Sequence, residues 1–134
     1  MKKKRKGLRI LLGILLGITV LVGGLMAFIL LGKEATLALA VENVPLNNIT
    51  DGVYEGSYNG FRFSNTVKVT VNNHEITDIA VTQPQVFMKD ETVEELTDRV
   101  TAQQCTDVDA VSGATADSKA FLKAVENALK SVPQ

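Results

Sequence analysis

The chain has 134 residues, of which 46% are hydrophobic and 22% charged, and its formal net charge is −1. A chain of this length has room for one small folded domain. Six of the fourteen basic residues lie before residue 10, and the part from Lys33 onward carries eight basic and fifteen acidic residues, a net charge of −7. The phosphates of DNA or RNA would repel this acidic part, so nucleic acid is excluded as a partner.

An apolar segment follows the basic N-terminus. Residues 10–31 contain no charged side chain. As a helix they would span about 33 Å at 1.5 Å per residue, which is enough to cross the hydrocarbon core of a bilayer. Positive charge concentrated before this segment predicts a cytoplasmic N-terminus and an extracytoplasmic remainder. We therefore assign residues 1–9 to a cytoplasmic basic segment and residues 10–32 to a single transmembrane anchor in the cell membrane.

A cleaved signal peptide is the competing interpretation, because Ala38-Leu39-Ala40 would serve as a cleavage site. The apolar segment is longer than that of most signal peptides, and Lys33-Glu34 separates it from this site. We therefore favour an uncleaved anchor, and with either interpretation the folded part is exported. Residues 33–46 are predicted to be a linker that holds this part away from the bilayer, with Pro45 ending any helical extension.

Residues 47–134 are predicted to form one domain of the α+β class, in which a small antiparallel sheet packs with two helices. Its first strand is predicted at Val53–Tyr58. Asn59-Gly60 is a strong signal for a hairpin turn, so the chain is expected to turn back along the first strand from Phe61.

Two further strands are predicted to form a hairpin. Alternating valines predict a strand over Thr66–Val71, and Asn72-Asn73 favours a tight turn. Glu75–Val81 returns, but its apolar residues break strict alternation, which predicts a bulge near Asp78. His74 lies at this turn and is interpreted as a solvated turn residue.

Two helices complete the predicted domain. The first is expected to begin at Glu91 with Asp90 as its N-cap. The second is expected to run from Ala116 to Val132. Their apolar stripes are predicted to be Val93, Leu96 and Val100 in the first helix, and Phe121, Val125 and Leu129, flanked by Leu122, Ala128 and Val132, in the second.

The stretch Asp109–Ser118 directly precedes the last apolar stripe and consists mainly of small residues and hydroxyls. Small residues such as Gly113 and Ala114 let the backbone approach a ligand closely. The free N–H groups and the dipole of a helix N-terminus favour an anion such as phosphate. The hydroxyls of Thr115 and Ser118 can accept from those N–H groups or contact the phosphate themselves.

A simpler interpretation of the same residues is helix capping. Ser112 or Thr115 would then be an ordinary N-cap, with Asp117 and Ser118 in a normal first turn. Both interpretations remain open from the residues alone.

The pattern Asp109-x-x-Ser112-Gly113-Ala114-Thr115 resembles the flavinylation motif of the FMN-binding domain family. This family includes the domains that carry covalent FMN in sodium-pumping and Rnf-type electron-transport complexes. Three further stretches are similar: Asp51–Gly56 to the opening strand, Val67–Val81 to the central hairpin, and Phe121–Leu129 to the closing helix. The resemblance covers residues 47–132 and implies that residues 47–134 are an FMN-binding domain.

The resemblance also implies roles for single residues. In the family, a flavin transferase joins FMN through a phosphoester to the last Thr of the motif, which here is Thr115. The resemblance further implies that Ser112, Gly113 and Ala114 form the binding site for the phosphate. It implies that the transferase recognises Asp109, which also braces the loop. Ser118 would provide a hydroxyl near the phosphate in the first turn of the helix. Family members often carry Ser or Thr where this chain has Asp117, whose carboxylate is mildly unfavourable beside a phosphoester.

The sequence shows no set of catalytic residues, since no His or Cys partner accompanies a nucleophilic Ser and no metal cluster is indicated. Cys105 has no partner for a disulfide and is interpreted as a small apolar residue rather than a redox thiol. Any chemistry would therefore come from a cofactor, which the resemblance implies is covalent FMN.

The implied function is a membrane-anchored, extracytoplasmic electron carrier. Its expected partners are a flavin transferase, a membrane electron donor, and a redox partner protein or small acceptor. A flavin-free interaction module of the same fold and a flavin-dependent reductase are the alternatives. In the predicted loop 82–89, Phe87 and Met88 either cover the core or, with Tyr58, pack against the flavin ring.

Overall fold

The structure is a computed structural model that describes residues 2–131. It divides the chain into two compact units, Met1–Leu31 and Gly32–Gln134. The first contains one helix, α1 (Lys2–Leu30), which also includes the basic residues before the apolar segment. Its large apolar side chains other than Ile29 are exposed, and the helix is long and apolar enough to cross a membrane. Exposed leucine and isoleucine on every side of a helix suit a lipid environment better than water.

The second unit has the predicted α+β architecture. Three antiparallel strands lie in the order β1 (Gly52–Tyr58), β2 (Asn65–Asn72) and β3 (Glu75–Gln83). Two helices, α3 (Asp90–Gln103) and α4 (Thr115–Lys130), pack with this sheet. The predicted alternation is confirmed, because Val67, Val69 and Val71 of β2 are all buried in the core.

The β2–β3 hairpin turns one residue later than predicted. Its two central residues are Asn73 and His74, which have φ values of 51° and 62°. Two positive φ angles in a two-residue loop are the requirement of a type I′ turn, whose twist matches the flanking strands. His74 is exposed at this turn, as expected, and its Nδ1 lies 3.0 Å from the carbonyl of Ile49.

Strand β3 contains two register irregularities opposite β2. The first falls at Thr77, beside the bulge predicted near Asp78, and the second falls at Thr82. The extra residue at the first irregularity lets Ile76 and Ile79 both face the core, where their side chains are 2% and 6% exposed.

The predicted connection between the first two strands is wrong. Instead of a tight turn at Asn59-Gly60, six residues join the strands, and Phe61–Phe63 form a 3₁₀ turn. Gly60 has a φ of −158°, so it does not supply the positive φ of a tight hairpin turn. Phe63 is fully buried beside Ala116 and Ala120, because its ring fills the space at the start of α4.

The helix ends differ slightly from the predicted ones. Asp90 is the first residue of α3 rather than its cap, since the N-cap is Lys89 and no side chain caps this end. The predicted stripe of α4 is buried, although Val132 lies outside the described residues. A Cβ at Gly56 would lie 2.1 Å from the amide nitrogen of Ala128, so the backbone of α4 packs directly on β1.

Residues 33–46, predicted as a linker, lie against the folded domain and belong to the compact unit Gly32–Gln134. A short helix, α2 (Lys33–Leu37), contacts α4. Thr36 is fully buried and its hydroxyl lies 2.9 Å from that of Tyr58. Composition could not predict this docking, because it depends on polar contacts with residues far along the chain.

Side-chain amides from outside the sheet form hydrogen bonds with the main chain of both edge strands, β1 and β3. Gln104 accepts from the amide of Ile76 on β3 at 2.7 Å and donates to its carbonyl at 2.9 Å. Asn127 donates to the carbonyl of Ser57 on β1 at 2.9 Å.

Cys105 is half-buried against the core. Burial raises the pKa of its thiol, and Asp107 raises it further through a side-chain hydrogen bond and its charge. A raised pKa disfavours the reactive thiolate, which agrees with the interpretation of Cys105 as an apolar residue.

Candidate functional site

The motif forms a tight turn that leads directly into α4. The amide of Ala114 donates to the carbonyl of Val111 at 3.0 Å, and Gly113 has a φ of 80°. A positive φ at the third residue is typical of a type II turn and favours glycine. A Cβ at Gly113 would meet nothing within 4 Å, so the backbone angle, rather than crowding by the protein, requires this glycine.

Ser118 holds the turn on the helix. It is fully buried, and its hydroxyl accepts from the amide of Val111 at 3.0 Å and donates to the carbonyl of Ala114 at 2.6 Å. Both contacts fix the turn, which gives Ser118 the role of a brace. Its contact with a phosphate stays a prediction.

Thr115 is the first residue of α4 and is exposed. The N-cap is Ala114, and no side chain caps this helix end, so the capping role considered for Ser112 and Thr115 is wrong. The first intrahelical bond runs from Ser118 to Ala114. Among residues 2–131, the amides of 115–117 therefore have no hydrogen-bond acceptor, which is the arrangement that binds an anion.

Asp109 lies at the start of the motif and is exposed. Its carbonyl accepts from Nη1 of Arg99 at 2.8 Å, and this arginine also donates to the carbonyl of Ala110. In the described part of the chain the Asp109 carboxylate makes no hydrogen bond, so its main chain rather than its side chain braces the loop. The carboxylate is open to a partner protein.

Two cavities, each of about 340 Å³, meet at the turn and share Gly113, Ala114 and Asp117. Thr115 lines the first cavity, together with Lys33, Leu37, Ala116 and Arg62. The second is lined by Ser112 and by residues of α3 and the loop before it, among them Phe87, Lys89 and Thr92. Each volume is in the range of small-molecule sites.

Arg62 neutralises the carboxylate that departs from the family pattern. Its Nη1 lies 3.3 Å from Oδ1 of Asp117, and the two side chains are only 14% and 19% exposed. Burial raises the pKa of Asp117 above its ordinary value of 3.8, and the charge and hydrogen bond of Arg62 oppose this rise. The guanidinium also lies 3.9 Å above the ring centre of Phe63. The extra negative charge beside Thr115 is therefore matched within the domain.

The loop before α3 is tied to the same turn. Gln85 is buried and donates to the carbonyl of Asp117 at 2.9 Å, and the amide of Val86 donates to the carbonyl of Arg62 at 3.0 Å. These bonds hold Phe87 beside the motif with 66% of its surface exposed.

The three candidates for flavin contact differ in their surroundings. Met88 and Tyr58 pack against the core, and the hydroxyl of Tyr58 is engaged with Thr36. Phe87 does not cover the core, since it is exposed at the second cavity. Of these three side chains, Phe87 is therefore the one presented to a ligand.

Comparison with protein families gives an FMN-binding domain, whose model matches residues 60–130. The match covers more than half of the chain and includes the whole motif, so the chain belongs to the FMN-binding domain family. With the apolar helix α1, this fits a membrane-anchored flavin-binding protein. The comparison with curated proteins gives no match.

The residues present fit an FMN phosphate. An accessible hydroxyl at Thr115, the uncapped amides of residues 115–117 and an adjoining cavity lie together at the start of α4. The sequence pattern predicted the hydroxyl and the turn. It did not predict Arg62 or Lys33, because neither stands in a recognisable spacing to the motif.

Proposed function

We propose that this protein is an extracytoplasmic electron carrier whose FMN is attached through a phosphoester to Thr115. The observation that carries the proposal is the exposed hydroxyl of Thr115 at an uncapped helix N-terminus, within a domain of the FMN-binding family. FMN, when bound, can pass electrons singly or as a hydride. A covalent bond suits an exported domain, since a dissociable cofactor would be lost to the surrounding medium.

Attachment requires an activated form of FMN, and a flavin dinucleotide such as FAD provides one. The Thr115 oxygen forms the new bond to the FMN phosphorus, the phosphoanhydride bond breaks, and AMP leaves. The hydroxyl proton passes to a base of the transferase, because no described side chain of this chain hydrogen-bonds to that hydroxyl. No electrons are exchanged in this step.

The amides of residues 115–117 stabilise the phosphate charge, and Gly113 keeps the approach to them open. Asp109, whose carboxylate faces solvent, is available to the transferase. The positive charge of residues 2–9 supports a cytoplasmic N-terminus and an extracytoplasmic domain. Electrons would then come from a donor in the membrane and pass to a redox protein or a small acceptor.

The proposal is tested by intact mass after co-expression with a flavin transferase. We expect a gain equal to FMN minus water, which is absent from Thr115→Ala. Thr82→Ala removes another exposed threonine, outside the motif, and should keep the gain. An unchanged mass of the folded wild-type chain would instead favour a flavin-free interaction module. Turnover of a substrate without partner proteins would favour a reductase.

A further inference from the structure

The segment that follows α1 contributes directly to the cavity at Thr115. Lys33 and Leu37 line this cavity with the motif turn. Two described contacts fix the segment there. Lys119 of α4 donates to the carbonyl of Leu37 at 2.5 Å, and the Thr36 hydroxyl is buried against that of Tyr58.

Two cations line the cavity, but they are differently engaged. Arg62 is ion-paired with Asp117 and donates to the carbonyl of Val86. Lys33 is exposed, and within residues 2–131 its ammonium group makes no ion pair or hydrogen bond. Its charge is therefore available to a ligand in the cavity.

We propose that Lys33 supplies the countercharge for the phosphoester at Thr115, so that the segment after the apolar helix is part of the cofactor site. This inference rests on the proposed function. A phosphodiester keeps one negative charge, and an ammonium group at the same cavity stabilises it, as do the helix amides.

The role of Lys33 has a consequence for processing of the chain. Cleavage after Ala40 would remove Lys33 and Leu37 from the cavity, and it would strip Thr36 from its partner Tyr58. We therefore expect the anchored form to accept the flavin faster than a chain cleaved after Ala40.

The test uses the full-length chain in detergent with a flavin transferase and FAD, and follows the initial rate of mass gain. We expect Lys33→Gln to slow attachment about threefold and Lys33→Glu about tenfold, because an exposed charge pair contributes modestly. Lys33→Arg should restore the rate. Lys68→Glu, which reverses an exposed lysine on β2, should leave it unchanged. Added salt should reduce the differences in attachment rate between the wild type and the Lys33 variants, because it screens the charge.

A second measurement separates phosphate binding from recognition by the transferase. The rise in melting temperature on flavin attachment should be smaller in Lys33→Glu than in the wild type and unchanged in Lys68→Glu. If Lys33→Glu slows attachment but leaves the rise in melting temperature unchanged, the inference is overturned, because Lys33 would then act in recognition by the transferase. Equal rates in the wild type and Lys33→Glu would also overturn it. No mass gain in the wild type would instead refute the proposed function.

Discussion

Phe87 and Phe61 are both exposed phenylalanines with a left-handed backbone, at φ 69° and 55°. Such angles are unfavourable for a bulky side chain and are maintained only where the surrounding structure imposes them. Phe87 lines a cavity at the motif, whereas Phe61 lines neither cavity there. The two phenylalanines therefore allow a comparison between a strained residue beside a cavity at the motif and one that lines neither cavity there.

We predict that Phe87→Ala will raise the flavin fluorescence of the loaded protein, because a stacked aromatic ring quenches it. The free energy of unfolding of the loaded form should fall by about 0.5–1.5 kcal/mol relative to Phe61→Ala, the contribution of an aromatic pair. Fluorescence and urea unfolding provide the measurements. If both variants give the same spectrum and stability, Phe87 does not contact the ring.

At the level of residues, the sequence predicts the part of the site that is local in the chain. The spacing from Asp109 to Thr115 indicated the turn and the accessible hydroxyl. Arg62 and Lys33 could not be found in this way, because they lie far before the motif in the sequence and reach the cavity only through tertiary packing.

Helix α4 approaches β1 most closely at Gly56. An ideal Cβ at Gly56 would lie 2.1 Å from the nitrogen of Ala128 and 2.4 Å from the oxygen of Ala124. Both are backbone atoms, so no side chain can move aside. The glycine allows the helix that begins at Thr115 to lie directly on the sheet.

Gly56→Ala should therefore destabilise the domain by about 1–3 kcal/mol, as overpacking of a tight core does. Urea unfolding monitored by circular dichroism measures the loss. Val53→Ala, at an exposed position of the same strand, should change stability by less than about 0.5 kcal/mol. Comparable losses in the two variants would show that the close approach does not limit stability.

Among the elements, periodicity predicted the three strands and both helices of the domain, because alternating or helical spacing reports which side chains are buried. It failed at Asn59-Gly60, where a strong local turn signal is overridden by burial of Phe63. Periodicity also gave no sign that residues 33–46 pack on the domain, because this packing depends on hydrogen bonds such as that from Thr106 to the carbonyl of Glu42.

On the scale of the whole molecule, Glu126 joins α4 to the segment before the sheet. Its carboxylate is fully buried and accepts from Lys123, Lys130 and the amide of Glu42. Burial raises the pKa of Glu126, but hydrogen bonds from the two lysines and from the Glu42 amide lower it more, so it lies below the ordinary value of 4.5.

A lowered pKa means that Glu126 stabilises the fold fully above the unfolded value of about 4.5 and loses this contribution as the pH falls through the folded value. Glu126→Gln should cost about 1.5–3 kcal/mol at pH 7, the range for hydrogen bonds to a charged group. The difference from the wild type should shrink below about pH 4.5 in urea unfolding of the full-length protein.

Glu55→Gln is the control, because Glu55 is exposed on β1 and makes no ion pair in the described part of the chain. It should follow the wild type at every pH. A constant difference between Glu126→Gln and the wild type down to pH 3 would contradict the assignment.

The amides of Gln104 and Asn127 have a consequence for association. Unpaired edge strands are the usual templates for domain swapping and fibril growth. Here a glutamine satisfies both main-chain groups of Ile76, and an asparagine satisfies the carbonyl of Ser57. A second chain that paired with either outer strand would therefore have to displace one of these side-chain amides.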